Sequence, residues 1–565
     1  MLNLTVLGKI GQTARSYFRE NRADYFAFFL VSSFFLSCLA IWCWFDHTVP
    51  NFDSAAHALQ GYQLLDTAND RAILAKRFWN ILTTNFFYPP LAFWFHTLVL
   101  ATGLPHGLAD NVPRFFFFFL AMLALFNLSK QLTNDTGVAV VAVAIFSLYP
   151  GLQSIIHTLF MLDMLMAATC YLTLWLLLKW KNSPTFKNAT IAGLALGLAC
   201  LTKQLAALFL LVPVLTLLLI TIKNRQWRQL CQLLCTIVVA SIIFLAWLLP
   251  NFARFSSCIS LNQSVESARG TLLSLWLQRI QLYTYVAQLN LTLPLVLAFV
   301  ASLLDWKLQK KLAFFASFFF GGLGLLCLVN WDHHFRQAFP LLGFMALSTA
   351  GLLVALWRSK LIVLRLAVAL LVFYDALVFF VVDFTPYPLK APEWANKIVN
   401  PDVIRRTVFM TRLMPSCPSE YYAAAYDWVI EKSLAAPERC FAPINILPES
   451  TDFCFLSLKY LLRREGLPPQ VGSFRKWTRA GYDFSYSSED LDQYGWFVDR
   501  INQKGPPELD FLNAQARSNY QDLEHSLATS PKYVKVADTP LSDGSTLALY
   551  WNTDWHPWNP PPYSK

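Results

Sequence analysis

Apolar runs of about twenty residues fill the first two-thirds of the chain, separated by short polar joints. Asp24–Trp44 and Leu361–Val382 are each long enough to cross a bilayer, which takes about 20 residues. The same pattern predicts membrane-spanning helices at 24–45, 114–132, 137–153, 158–178, 188–202, 205–222, 229–250, 281–304, 311–330, 337–357 and 361–382. That is about eleven spans in a mainly α, polytopic membrane protein. The spans 188–202 and 205–222 are short and meet at Thr202-Lys203, as in a helical hairpin that only just crosses.

The first two spans are separated by a long outer loop, 46–113. Segments near 54–65 and 71–82 have one apolar and one polar face, the pattern of helices lying in the membrane interface. Phe86–Gly103 is apolar but opens with Tyr88-Pro89-Pro90, which predicts a re-entrant or interfacial helix rather than a span. After Asp383 the pattern changes. Pro386, Pro388 and Pro392 mark a linker, and charges, aromatics and turn residues follow. Lys532–Val536 and Thr546–Trp551, around Ser542-Asp543-Gly544-Ser545, predict two strands and a turn. The expected division is a membrane domain, 1–385, and a soluble α/β domain, 386–565, with Pro557–Pro562 as a frayed tail.

Composition agrees. The 565 residues are 56% hydrophobic and 14% charged, against about 25% charged in soluble domains. The net charge of +10 does not point to nucleic acid, because the basic residues cluster between apolar stretches and no recognition motif accompanies them. Lys9, Arg15, Arg19 and Arg22 precede the first span without a small-residue cleavage site. A retained first helix with a cytoplasmic N-terminus is expected. The loops then assigned to the cytoplasm hold Lys130; Lys179, Lys181 and Lys187; Lys223, Arg225 and Arg228; Lys307, Lys310 and Lys311; and Arg358, Lys360 and Arg365. Each is basic, as positive-inside orientation requires. Most of the eleven cysteines lie within apolar spans, where packing is the simpler role than ligation, and no metal-binding spacing appears. Cys417, Cys440 and Cys454 lie in the polar tail, where a disulfide of undetermined pairing is compatible with an extracytoplasmic setting.

The opposite ends of the spans collect unusual polar residues: Asp53, His157, Asp163, Lys203 and Trp331-Asp332-His333-His334-Phe335-Arg336. Ionisable groups at membrane depth are costly and usually face a cavity or a partner, so one extracytoplasmic site is expected. Asp53 can take a proton from an acceptor hydroxyl, or cap the helix that follows it. Asp163 is the single acid of an apolar helix; it can serve function, cap that helix, or satisfy a lysine. Lys203 can bind phosphate or snorkel to the headgroups. His333, His334 and Arg336 suit a phosphate, the arginine as a fork, or are ordinary interfacial residues. Tyr88 stands at a rigid turn. Arg114, following Pro113, opens the second span and either anchors it or reaches the cavity.

Several local motifs resemble the GT-C class of membrane glycosyltransferases, and most of all the group of protein O-mannosyltransferases and lipid A aminoarabinose transferases. They are Phe52-Asp53-Ser54-Ala55-Ala56-His57, Pro89-Pro90-Leu91, Arg114, Asp163-Met164-Leu165, the Gly197-to-Lys203 segment, and Phe335-Arg336-Gln337-Ala338-Phe339-Pro340-Leu341-Leu342. The resemblance covers about 20–385. It implies inverting transfer of a sugar from a polyprenyl-phosphate donor to a hydroxyl of a lipid, polysaccharide or protein acceptor, outside a bacterial plasma membrane and without a catalytic metal or other cofactor. Asp53 would be the base, and Asp163 would hold the acceptor or orient a cation. Lys203, His333, His334 and Arg336 would bind the donor phosphate, and Tyr88, Arg114 and His157 would contact substrate. The chain departs from the family pattern at Ser54, where an acid is common, at Tyr88, where His or Lys is common, and at Gln204, where glycine is common. Those departures bear on donor and acceptor identity. A multi-pass transporter, or a non-catalytic membrane protein with a partner-binding tail, is the alternative; the sequence shows no internal repeat and its polar residues gather at one outer edge, which does not favour the transporter.

Overall fold

The computed structural model describes residues 22–46, 49–50, 52–69, 81, 88–267, 277, 292–329, 335–384, 423–435, 439, 442–447, 453–467, 470–478, 481–501, 514–541 and 544–556. Helices dominate. Among the described residues eight are long and apolar enough to cross a membrane, or nine if one bent pair counts as a single span. Two of the eleven expected spans are shorter: Phe186–Cys200 has 15 residues and Leu293–Leu303 has 11. All of 281–291 lies outside the described residues, as do the segment 71–82 except Ile81, the linker prolines, the proline-rich tail, Cys417 and Cys440.

The helices that build the membrane region are α1 (Arg22–Phe45), α2 (Phe52–Asn69), α3 (Leu91–Leu100), α4 (His106–Thr133), α5 (Thr136–Leu148), α6 (Pro150–His157), α7 (Leu162–Asn182), α8 (Phe186–Cys200), α9 (Leu205–Lys223), α10 (Trp227–Ser267), α11 (Leu293–Leu303) and α12 (Trp306–Val329). A 3-10 turn, Phe335–Leu341, leads into α13 (Leu342–Trp357), and α14 (Ile362–Phe384) follows.

Local signals explain several boundaries. Asn134 adopts φ 54°, a left-handed cap that returns its N–H to Lys130 O, and Asp135 then caps α5 through Val138 N. Pro150 at the first position of α6 breaks the expected span 137–153, and α5 and α6 meet at 64°. The second expected span also differs. Its helix starts at His106, just after Pro105, so Arg114 sits within α4 rather than opening it, and Pro113 is carried inside. The proline gives up one helix hydrogen bond without ending the helix.

Packing in this region uses small residues. A Cβ at Gly193 would come 2.7 Å from Thr236 O, and one at Gly197 would come 2.9 Å from Ile243, so α8 lies directly on α10. Lys130 binds Asp24 at 2.6 Å, and Arg358 pairs with Asp135. These contacts gather the start of α1, the end of α4, the start of α5 and the end of α13 at one end of the bundle. Following the helices from there puts the start of α2, the α6–α7 break, the α8–α9 joint and the 3-10 turn at the opposite end.

Helix α2 covers the expected interfacial segment 54–65, but protein rather than lipid covers its apolar face. Ala55, Ala58, Leu59, Tyr62 and Leu64 are buried. A Cβ at Gly61 would stand 2.2 Å from His96 Nδ1, which fixes how closely α2 meets α3.

The C-terminal region mixes helices with a five-stranded sheet. Its helices are α15 (Ala423–Leu434), α16 (Phe455–Arg464), α17 (Ser488–Asp492) and α18 (Ala514–Thr529). The strands are β1 (Ile444–Ile446), β2 (Val471–Gly472), β3 (Arg475–Thr478), β4 (Gly481–Phe484), β5 (Trp496–Ile501), β6 (Tyr533–Pro540) and β7 (Thr546–Asn552). The sheet order is β2-β1-β5-β7-β6, with β3-β4 as a separate hairpin. The expected pair of strands around Gly544 is the antiparallel β6–β7 ribbon. Helix α16 leaves this region and lies on the membrane part: Ser457 donates to Pro50 O at 2.6 Å, and His106 Nδ1 donates to Arg464 O at 3.0 Å.

Candidate active site

Five candidates from separate parts of the chain converge. Asp53 stands inside the first turn of α2, where its carboxylate accepts from Arg336 Nη2 at 2.5 Å. Asp163, in the first turn of α7, binds Lys203 Nζ at 2.8 Å, and both side chains are buried. The lysine is therefore not snorkelling. It sits in the turn between α8 and α9, with its ammonium 5.4 Å from the centre of the Tyr88 ring. Tyr88 meets His57 edge to face at 5.3 Å. Tyr88 thus stands between the Asp53–His57 face of α2 and the Lys203–Asp163 pair.

The α6–α7 break lines this assembly. Phe160 adopts φ 56°, and its carbonyl accepts from His57 Nδ1 at 3.2 Å. Ser54 Oγ lies 4.0 Å from Met161 Sδ. Burial pushes the Asp53 carboxyl upward, but the charge and hydrogen bond of Arg336, with Lys203 adding, outweigh it and hold the group below the usual carboxylate range. Burial drives His57 down to about 4 against the opposing pull of Asp53, and the weaker repulsion of Arg336 and Lys203 adds to the effect of burial. Arg336 spends one nitrogen on Asp53, while its buried Nε has no hydrogen-bond partner among the described residues.

Arg114 and His157 form a neighbouring group. His157 stacks on Trp42 with ring centres 4.0 Å apart, and the Arg114 guanidinium lies 5.7 Å from the same indole. Arg114 also reaches Cys43 Sγ at 3.0 Å. His157 closes α6 and is tied to the first group through the segment 157–163. His333 and His334 lie outside the described residues. Cys454 is buried beside Ser457.

Sequence reasoning passed over His57, although its spacing of four from Asp53 puts the two on one helix face. It also passed over the buried carboxylate Asp110, which takes hydrogen bonds from His96, Tyr62 and Tyr460. Asp375 was missed as well. It is buried in α14 and accepts from Thr292. Among the described residues, no group of three or more His, Cys, Asp or Glu side chains could hold a metal ion.

A family model described as dolichyl-phosphate-mannose-protein mannosyltransferase matches residues 88–249. The structure of ArnT from Cupriavidus metallidurans bound to undecaprenyl phosphate aligns with a TM-score of 0.54 at 11% identity, covering 94% of this chain and 98% of that one. The fold is that of the GT-C class of membrane glycosyltransferases. A second GT-C relative is the archaeal oligosaccharyltransferase AglB from Archaeoglobus fulgidus, in complex with an inhibitory peptide and a dolichol-phosphate. It aligns with a TM-score of 0.50 at 12% identity, covering 86% of this chain and 70% of that one. No curated protein sequence matches the chain. At such identities the GT-C likeness describes the path of the backbone, and the chemistry has to be argued from the side chains above.

Proposed function

We propose that this protein transfers a sugar from a polyprenyl-phosphate carrier to an acceptor hydroxyl, with inversion at the anomeric carbon. The observation that carries the reading is the meeting of Asp53–Arg336 and Lys203–Asp163 around Tyr88 at one end of the helical bundle. A lipid-linked donor suits this position, because its tail can stay in the bilayer while its phosphate reaches the cations. The family match over 88–249 and the ArnT-like fold favour the same class of donor.

In this mechanism the acceptor oxygen attacks the anomeric carbon as the carrier phosphate departs. Asp53 is the base for the hydroxyl proton. Arg336 and Lys203 stabilise the phosphate as its charge grows, and fixed cations in a water-poor site do so without reorganising. The Nε of Arg336, which has no partner among the described residues, leaves that guanidinium with a donor for an anion. His333 and His334 join Arg336 at the phosphate. Asp163 orients Lys203. Tyr88, Arg114 and His157 contact the sugar or acceptor.

We take residues 1–385 as the catalytic membrane domain and 386–565 as an extracytoplasmic domain, with the site on the outer face of a bacterial plasma membrane. Positive-inside charge in the loops supports that side. The test is mass spectrometry of cell-envelope glycans from a deletion strain, complemented with wild type or with Asp53→Asn. Loss of one glycan modification in the deletion, restored by wild type and not by Asp53→Asn at equal protein level, is expected. Unchanged glycans with defective solute uptake would replace this reading with a transporter.

A further inference from the structure

Asp53 and His57 are four residues apart on α2, and side chains at that spacing have Cβ atoms about 5–6 Å apart. Their engagements differ. Asp53 is bound by Arg336 at 2.5 Å, and that guanidinium opposes protonation of the carboxylate. His57 is buried, and its Nδ1 faces the Phe160 carbonyl at 3.2 Å. A carbonyl oxygen only accepts, so Nδ1 carries the proton and Nε2 keeps its lone pair. The left-handed backbone at Phe160 holds that carbonyl in place, and Tyr88 and Phe93 pack the ring at 5.3 and 5.9 Å.

We infer that His57 Nε2 is the final receiver of the acceptor-hydroxyl proton, which reaches it through Asp53. This rests on the glycosyl-transfer reading above. The acceptor oxygen forms its bond to the anomeric carbon, and the bond from that carbon to the carrier oxygen breaks with its electron pair going to the phosphate. The hydroxyl proton passes to Asp53 and on to His57 Nε2. One positive charge appears on the imidazole as one further negative charge appears on the phosphate, so the site's net charge is unchanged. The phosphate's new charge offsets Arg336 and Lys203, whose repulsion adds to burial in disfavouring the charged imidazole in the resting site. Imidazolium then returns its proton to water.

The test uses the full chain in native membranes of the complemented deletion strain, which hold the endogenous lipid-linked donor and acceptor. His57→Ala and His57→Gln should each slow glycan modification by about 10²–10⁴-fold, the usual range for a lost acid–base group. Undecaprenyl phosphate binding by the purified variants should stay within about threefold of wild type, a margin well below one power of ten. Added imidazoles should rescue His57→Ala at rates that rise with their pKa. Rescue that ignores pKa would assign His57 to packing and overturn the inference, as would wild-type rates in both variants. If Asp53→Asn still abolishes modification in that case, only the role of His57 falls. If Asp53→Asn also has no effect, the glycosyl-transfer reading falls with it.

Discussion

Arg336 Nη2 lies 2.5 Å from Asp53 Oδ2, joining residues 283 positions apart in the chain. The pair ties the first turn of α2 to the 3-10 turn before α13. Lysine at 336 would keep the charge but lose the fork that can hold Asp53 and an anion together. Arg336→Gln should lower the rate of glycan modification by about 10²–10³-fold, the range for removing one preorganised donor, and Arg336→Lys by less. Initial rates in membranes of the complemented strain check this, and equal rates for all three proteins would remove Arg336 from the site.

The Lys203–Asp163 pair is buried on both sides, so breaking it strands a charge. Asp163→Leu alone should destabilise the protein by about 3–5 kcal/mol. Adding Lys203→Met should recover much of that loss, because an apolar pair of similar size avoids the desolvation cost. Thermal unfolding in detergent would show the recovery, while glycan modification should stay absent in the double variant. Additive losses would contradict the pairing.

Asp110 ties the C-terminal region to α2 and α3. It is buried in α4 and takes hydrogen bonds from His96 Nε2 at 2.8 Å, from Tyr62 at 3.2 Å and from Tyr460 of α16. Tyr460→Phe removes one donor and should cost about 1–3 kcal/mol. Asp110→Ala should cost more, and the double variant less than the sum, because the groups share one network. Unfolding temperatures of the three variants test the coupling.

Asp499 on β5 offers a pH test away from the membrane. Burial, with Glu524 adding, pushes its carboxyl up to about 7, although the Tyr520 hydroxyl donates to it at 3.2 Å. In the unfolded chain the same group ionises near 3.9, so the folded state holds its proton to higher pH. The stability this provides is complete below the unfolded value and is lost as pH rises through about 7. Asp499→Asn should therefore unfold at a higher temperature than wild type at pH 8, with little difference at pH 4. An equal difference at both pH values would rule out the ionisation as its cause.

Much of the membrane architecture could be read in the sequence, because apolar runs of bilayer length and basic loops act locally. The convergence of Asp53, Asp163, Lys203 and Arg336 at one bundle end also follows once the parity of the spans is set. The breaks were harder. Pro150 ends a helix inside an expected span, yet Pro113 is carried within one, and the same residue type gives no local sign of which will happen. Helix α2 has the amphipathic pattern of an interfacial helix, but α3 and α16 cover its apolar face.

Which residues could ionise at the membrane, and on which helix ends they lie, follows from the order of residues alone, since periodicity and charge are properties of neighbours in the chain. Partner choice belonged to the tertiary structure alone. Asp53 takes Arg336 and Asp163 takes Lys203, the Phe160 carbonyl selects the tautomer of His57, and Tyr460 reaches Asp110 across 350 positions. Each of these contacts depends on how helices distant in sequence are turned and spaced against one another, and no local pattern encodes that geometry.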